Sequence, residues 1–129
     1  LFPTILAVTG QEFDGVVDGE DLSPLLQGSG PERTPEFLMH FPHSHRSSYF
    51  TSYRLGDWKL VYHYHKPAGE RCELFHLTED RTESRNLASK DPANRDRMIK
   101  AMAAALEKAG AQYPLDQEDK TKVLKPVTP

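Results

Sequence analysis

The sequence predicts an α+β fold, a small two-layer sandwich in which an antiparallel sheet of about four strands is covered by one C-terminal helix. Residues 58–65 alternate between an apolar and a polar set, as a strand with one buried face does. A tight hairpin signal, Leu55-Gly56-Asp57, stands directly before them. Residues 98–109 carry an apolar stripe at three- and four-residue spacing. Such a helix needs a sheet face to cover, so the two patterns together predict two layers.

The N-terminal residues predict a helical connector. Residues 1–9 are apolar, with Pro3 tolerated in a first turn and Thr9-Gly10 as a stop signal. Because the chain starts inside this helix without an initiator Met, we expect it to be a piece of a longer protein. Ser23-Pro24 predicts an N-cap followed by Pro at the first helical position, with Gly28 closing the turn. Three leucines of this turn are expected to face inward: Leu22, Leu25 and Leu26.

The main unit is predicted to follow a linker. Residues 27–35 have linker composition, so residues 1–30 are assigned to the connector and residues 31–113 to the α+β unit. Four segments of this unit have the apolar and aromatic content of short strands: Glu36–Phe41, Tyr49–Arg54, Trp58–His65 and Cys72–Leu77.

The C-terminal helix has the clearest boundaries. Asp91 is predicted to cap it, Pro92 to take its first position and Gly110 to lie just past its end. Residues 114–129, rich in Lys, Asp, Thr and Pro, are predicted to form an extended tail.

Composition excludes several classes of function. The chain has 129 residues and a net charge of −3, without the Lys/Arg stripe that a nucleic-acid interface needs, so no nucleic-acid partner is expected. No apolar run approaches the roughly 20 residues of a membrane-spanning helix, so no membrane partner is expected either. A single cysteine excludes an internal disulfide and a multi-thiolate zinc site.

A cluster of histidines is the main candidate site. His40, His43 and His45 lie within six residues and are followed by Arg46. Imidazole and guanidinium groups at this spacing can contact an anion or a sugar, and neutral imidazoles can bind a metal ion. The plainer alternative is a set of exposed loop histidines. No carboxylate or thiolate nearby completes a metal shell, so the metal alternative is the weakest and no metal residue is assigned.

The remaining chemistry-bearing residues favour structural roles. The His63 and His65 side chains share a strand face with Lys59, which indicates either a solvated face or an extension of a positive surface. His76 is predicted to be a surface strand residue, and Cys72 a small buried hydrophobe. Three residues spaced three apart are expected to cap turns through backbone N–H groups: Asp80, Glu83 and Asn86. The sequence contains no complete catalytic set.

Several short motifs follow one another in order: Leu1-Phe2-Pro3-Thr4-Ile5-Leu6, Asp18-Gly19-x-x-Leu22-x-Pro24-Leu25-Leu26-x-Gly28, His40-Phe41-Pro42-His43, Arg54-x-Gly56-Asp57-Trp58-Lys59-Leu60, Glu73-Leu74-Phe75-His76-Leu77, Asp80-x-x-Glu83-x-x-Asn86-Leu87 and Gly110-Ala111-x-x-Pro114. The first two resemble the end of the catalytic domain of sulfatases. The others resemble the C-terminal subdomain of the formylglycine-dependent sulfatases of the alkaline-phosphatase superfamily. The resemblance covers roughly residues 1–114 and departs from the family at His76, where Asp is usual.

The resemblance implies a part of a sulfuric ester hydrolase that is inactive alone. Its implied partners are an upstream catalytic domain of the same protein and a sulfated carbohydrate or other sulfate ester. The family's nucleophile, a formylglycine made within Cys/Ser-x-Pro-Ser-Arg, matches no residue here, and its calcium-binding carboxylates lie upstream, so both groups are implied only for the full-length parent. The segment with His40, His43, His45 and Arg46 is then expected to contact substrate.

Three further expectations concern the assembly, the location and the alternative functions of the chain. A cut domain exposes an apolar patch, which favours a dimer of the fragment. The family implies a periplasmic or extracellular location. Two other functions stay open, a stand-alone module that binds a carbohydrate or a partner and a histidine metal-binding module.

Overall fold

A computed structural model describes residues 1–17, 19–30, 34–43 and 49–128. The chain divides into two compact units, Leu1–Arg33 and Thr34–Pro129. The fold is α+β, as predicted, with the sheet and its covering helix in the second unit.

The first unit consists of two short helices. Helix α1 spans Phe2–Thr9 and ends at Gly10, whose φ of 66° is the left-handed conformation that glycine adopts at helix ends. Helix α2 spans Ser23–Leu26. The backbone N–H of Leu22 donates to the Thr4 hydroxyl at 3.0 Å and so joins the two helices.

Two predictions about helix α2 were wrong. The helix begins at Ser23, with Leu22 in the N-cap position, and the Asp21 carboxylate accepts from the Ser23 N–H at 2.8 Å. Asp21, rather than Ser23, therefore supplies the side-chain acceptor. The leucines predicted to face inward are exposed, at 37% for Leu22, 62% for Leu25 and 77% for Leu26. A four-residue helix with no apolar layer packed on it leaves these side chains in solvent.

The second unit contains one antiparallel sheet in the order β1-β2-β3-β4. The strands are β1 (Glu36–Phe41), β2 (Phe50–Leu55), β3 (Trp58–His63) and β4 (Cys72–His76). The predicted hairpin joins β2 and β3, with Leu55 paired to Trp58 and Gly56 at a φ of 61°. Strand β3 ends two residues earlier than predicted, and β2 begins one residue later.

Helix α3 (Pro92–Lys108) covers one face of the sheet, with Asp91 as its N-cap as predicted. The Asp91 carboxylate accepts from the Asn94 N–H at 3.1 Å. The predicted apolar stripe is confirmed, because its central members are buried against the sheet: Met98, Ile99, Met102 and Leu106. The strands and Tyr64, which directly follows β3, contribute the facing half of this core: Tyr53, Leu60, Tyr62, Tyr64 and Leu74. We call this the inner face of the sheet, and the opposite one the outer face.

The residues after α3 turn back along the second unit. Leu115 and Val123 form an isolated antiparallel bridge, and the Leu124 N–H donates to the Pro114 carbonyl at 2.9 Å. The backbone N–H of Val127 donates to the Tyr62 hydroxyl at 3.1 Å. This segment therefore contacts the inner side of the sheet.

Candidate functional site

His40 lies on strand β1, half-buried, and both of its ring nitrogens are bonded within the protein. Nε2 lies 2.7 Å from the Gln112 carbonyl oxygen, and because a carbonyl only accepts, Nε2 is the donor. Nδ1 lies 2.8 Å from the Thr51 hydroxyl. The ring also stands edge-on to Tyr64 and Tyr113, at centroid distances of 6.0 and 5.8 Å. His40 thus joins strand β1 to strand β2 and to the segment after α3, and its contact with a substrate stays a prediction.

The hydrogen bonds continue from Thr51 into the core. Thr51 is fully buried, and its hydroxyl lies 2.7 Å from the hydroxyl of the equally buried Tyr64. With a neutral His40 ring protonated on Nε2, Thr51 donates to Nδ1 and accepts from Tyr64. Burial raises the pKa of Tyr64 to about 12, so this phenol keeps its proton at neutral pH. Thr51 and Tyr64 form the buried part of this polar network, and the half-buried ring of His40 forms its outer end.

His43 is the other predicted site residue that the structure describes. It is exposed, just beyond the end of β1, and its ring stands edge-on to Phe41 at 5.9 Å. His45 and Arg46 lie outside the described residues. The structure therefore describes two of the four predicted residues: His40, whose ring is bonded within the protein, and His43, which is exposed.

Two basic side chains of the outer face, Lys59 and His63, contact carboxylates. The Lys59 ammonium lies 2.7 and 2.6 Å from the two carboxylate oxygens of Glu83. The Glu73 carboxylate lies 3.2 Å from His63 Nε2 and 3.6 Å from Lys66 Nζ. Two acidic residues therefore offset the positive surface that Lys59 and His63 could have extended toward a ligand.

Two further histidines pack on aromatic rings. His65 stands against Tyr49 at 4.3 Å, and His76 against Trp58 at 4.6 Å. His65 Nε2 and His76 Nδ1 are buried without a hydrogen-bond partner among the described residues. His76, predicted to be a surface residue, is half-buried, because β4 places it beside the indole of the paired strand residue.

The loop from Asp80 to Asn86 caps backbone groups, as predicted. The Asp80 carboxylate accepts from the backbone N–H groups of Ser84 at 3.1 Å and Arg85 at 2.8 Å. These bonds, the one from Arg85 above all, hold the pKa of Asp80 below its ordinary value. Glu83 has a φ of 54°, in the region that favours glycine, and a glycine there would lose the ion pair with Lys59.

A cavity of about 490 Å³ lies beside β4 and the start of α3. Its wall includes Arg71, Cys72 and Arg95, together with the Asp96 carboxylate that Arg95 contacts at 2.7 Å. No carboxylate among the described residues pairs with Arg71. Burial raises the pKa of the Cys72 thiol, against the opposing effect of the two arginines, so the predicted hydrophobe is a weakly nucleophilic group. The spacing of Arg71, Cys72, Arg95 and Asp96 in the sequence does not predict that they line one cavity.

The described residues contain neither a metal-ligand cluster nor a membrane-spanning helix. In that part of the chain, no three or more His, Cys, Asp or Glu side chains come together as a metal site would require. No helix there has the length and apolar character needed to cross a membrane.

Comparison with known proteins identifies the relatives of this chain. It is 36% identical to human arylsulfatase D over 66 residues and 34% identical to mouse steryl-sulfatase over 64 residues. The chain resembles the C-terminal region of sulfatases. Each match covers 48% of this chain, which spans about 11% and 10% of the length of these two curated relatives. No family model matches the sequence.

Solved structures share the fold. BT4656, determined in complex with its substrate D-glucosamine-2-N,6-O-disulfate, superposes over 84% of this chain with a TM-score of 0.62 and 19% identity. BT1596, a 2-O GAG sulfatase, superposes over 84% with a TM-score of 0.61 and 22% identity. This chain spans 23% of each of those proteins.

Proposed function

We propose that this chain is the C-terminal part of a larger sulfuric ester hydrolase, where it packs beside the catalytic domain and shapes the substrate cleft. The observation that carries the proposal is sequence identity above 30% to two sulfatases of which the chain spans about a tenth. A part of that size does not supply the catalytic residues, which we assign to the catalytic domain. Its role in the proposal is to support that domain.

Exposed apolar side chains support the packing role. On the outer face of the sheet, Phe37 is 63% exposed and Met39 is 42% exposed. The first unit exposes the leucines of α2 and several apolar residues of α1: Phe2, Ile5 and Val8. Exposed apolar surface of this kind marks contact with another protein surface, and a covering domain of the same chain would bury it.

The loop after β1 supports the role at the substrate. His43 is exposed there, and His45 and Arg46 follow it in the sequence. Imidazole and guanidinium groups donate charge-assisted hydrogen bonds to sulfate oxygens, and a sulfated carbohydrate needs several such donors. BT1596 is a 2-O GAG sulfatase and the substrate of BT4656 is D-glucosamine-2-N,6-O-disulfate, and we extend the substrate class of sulfated carbohydrates to the parent protein.

The catalytic groups of the family do not fit this chain. Cys72, its one cysteine, begins strand β4 and is followed by Glu73-Leu74-Phe75-His76, where the family's motif has x-Pro-Ser-Arg. The described residues also provide no cluster of carboxylates for calcium. We therefore assign formylglycine and calcium to the proposed catalytic domain and derive no catalytic step from the residues of this chain.

The gene sequence and an activity assay test the proposal together. We expect the reading frame upstream of Leu1 to encode several hundred residues with a Cys/Ser-x-Pro-Ser-Arg motif. The full-length protein should hydrolyse 4-nitrophenyl sulfate or a sulfated sugar, whereas the 129-residue chain should release no sulfate. A complete protein that begins near Leu1 would contradict the proposal and favour a stand-alone binding module.

Substitutions in the loop test its contact with substrate. In the full-length enzyme, His43→Ala and Arg46→Ala should each raise KM for a sulfated sugar by roughly tenfold, the loss of about one charge-assisted hydrogen bond. Lys120→Ala, at an exposed position after α3, is the matched control and should leave KM unchanged. Equal KM values for all variants on every accepted substrate would show that the loop does not contact substrate.

The same preparation distinguishes the metal-binding alternative. A module that binds metal through His43 and His45 would hold stoichiometric zinc, nickel or copper in the isolated chain, and elemental analysis detects it. The proposal assigns the purified chain none of these metals at stoichiometric level. A periplasmic or extracellular location is part of the proposal and is tested by fractionation of cells that express the parent gene.

A further inference from the structure

The two edge strands of the sheet differ in how their outer backbone groups are satisfied. At β4, the Leu74 N–H donates to the Asn86 side chain at 3.1 Å, and the Leu87 N–H donates to the Leu74 carbonyl at 2.8 Å. The loop around Asn86 therefore closes that edge. At the opposite edge, strand β1 has no such cover among the described residues.

The alternation of hydrogen-bonded pairs along the sheet identifies which backbone groups of β1 have no partner strand. The Gly56 N–H donates to the Pro35 carbonyl at 2.7 Å, so Pro35 and Gly56 are a hydrogen-bonded pair. Such pairs alternate along an antiparallel ladder, which places Phe37 and Met39 in hydrogen-bonded pairs with β2. The residues between them, Glu36, Leu38 and His40, direct their N–H and C=O groups away from β2. No backbone bond to these groups occurs within the described residues.

The next ladder gives the same alternation independently. The Tyr64 N–H donates to the Tyr49 carbonyl at 3.0 Å, which makes Thr51 and Tyr53 the β2 residues that bond to β3. Ser52 and Arg54 are then left to bond β1, as the Pro35–Gly56 pair requires. The open edge at Glu36, Leu38 and His40 is therefore fixed by two separate contacts.

We propose that a second copy of this chain pairs with this edge, antiparallel and about a two-fold axis at Leu38. This register sets Leu38 opposite the partner's Leu38 and Glu36 opposite the partner's His40. Every open group then meets an open group of the other copy, and each such pair of residues exchanges two backbone hydrogen bonds. The two sheets become one continuous sheet.

Side chains on the outer face match in this register. On the outer face, Phe37 meets the partner's Met39, and both residues are largely exposed in the single chain. Their Cα atoms would be about 4.5 Å apart, the spacing at which cross-strand apolar pairs are stabilising. On the inner face, Glu36 lies opposite the partner's His40, but its carboxylate already accepts from Tyr53 and both nitrogens of the His40 ring are engaged, so the apolar pair of the outer face carries the side-chain match.

Strand β1 also lacks three of the features that prevent edge pairing, although it carries one charged residue, Glu36. Lys, internal Pro and bulges protect the edges of natural sheets, and Glu36–Phe41 contains no Lys, no Pro and no interruption of its register with β2. Self-complementary side chains together with a weakly protected edge favour a second copy over an unrelated strand as the occupant.

Cysteine cross-linking tests the register in the 129-residue chain. The background variant is Cys72→Ala, which removes the native thiol. The double variant Phe37→Cys/Met39→Cys places each new thiol opposite one of the partner, within the Cα range of a disulfide. In either single variant the two equivalent thiols are two positions out of register, beyond about 7 Å. We expect the double variant to form a disulfide-linked dimer in oxidised glutathione at least tenfold faster than either single variant.

Sedimentation tests the edge itself. The mass of the unmodified chain should rise with concentration from 14.6 kDa toward twice that value. Leu38→Pro removes an outward N–H without breaking a bond to β2, so this variant should stay monomeric with an unchanged circular dichroism spectrum. Phe37→Pro, which breaks a bond to β2, is the control that destabilises the sheet itself.

Three results would overturn the proposal. One is a chain that stays monomeric up to millimolar concentration. Another is a dimer that persists in Leu38→Pro, which would place the interface elsewhere. The third is cross-linking of the single variants at the rate of the double variant. The assignment to a sulfatase is independent of all three results.

Discussion

The two units of the chain contain similar apolar side chains and use them differently. In Leu1–Arg33, Thr4 is the only buried residue among those described, and most large apolar side chains are exposed. In Thr34–Pro129, an unbroken apolar cluster fills the space between the sheet and α3. The difference is the presence of a second layer, because an apolar stripe is buried only where another element covers it.

Separating the two units has the largest expected effect. Residues 34–129 contain the whole buried cluster, so a chain of these residues should keep the cooperative thermal unfolding of the full chain. Among the described residues of segment 1–33 no large apolar side chain is buried, so this segment should show no cooperative transition, since short helices are marginal without packing. Circular dichroism at 222 nm measures both. A cooperative transition in residues 1–33 would contradict the contrast between the units.

Matched leucine substitutions sharpen the same contrast. Leu106 is fully buried in α3, and Leu106→Ala should lower the free energy of unfolding by about 2–5 kcal/mol through lost burial and a cavity. Leu26 in α2 is 77% exposed, and Leu26→Ala should change it by less than about 0.5 kcal/mol. Urea denaturation of both variants provides the measurement. Equal losses would show that α2 is packed in solution.

The polar network at His40 should contribute less than the apolar core. Thr51→Val keeps the side-chain shape but removes the hydroxyl that links His40 and Tyr64, and should cost about 1–3 kcal/mol. The control Thr78→Val changes an exposed threonine and should stay within about 0.5 kcal/mol of the unmodified chain. If Thr51→Val proves neutral by urea denaturation, the network contributes no net stability.

The Asp80 loop should give the smallest effect, visible as a change in acid sensitivity. The pKa of Asp80 is lower in the folded chain than its ordinary 3.8, so its contribution to stability is present above that value and is lost as pH falls through the folded pKa. Asp80→Asn removes this contribution and should flatten the decrease in melting temperature below about pH 4. An unchanged pH profile would mean that other carboxylates dominate acid unfolding.

Much of the fold could be predicted from local patterns. The bounds of β1, the Gly56 hairpin and the Asp91 cap of α3 follow from residue type and spacing, and the structure confirms them. The neighbours of a side chain could not be predicted in this way. The sequence groups His40 with the neighbouring His43, His45 and Arg46 as a binding cluster. In the structure its ring contacts Thr51 and Gln112, which are distant in sequence.

The sequence by itself determined which elements form, because helix caps, turn glycines and alternating strands depend on residues within a few positions of one another. It also carried the resemblance to sulfatases. Only the tertiary structure decided which apolar faces are covered, which charges are paired and which sheet edge stays open. These properties depend on residues far apart in the chain, as in the pairing of Lys59 with Glu83 and the closing of β4 by Asn86, while β1 has no such cover among the described residues.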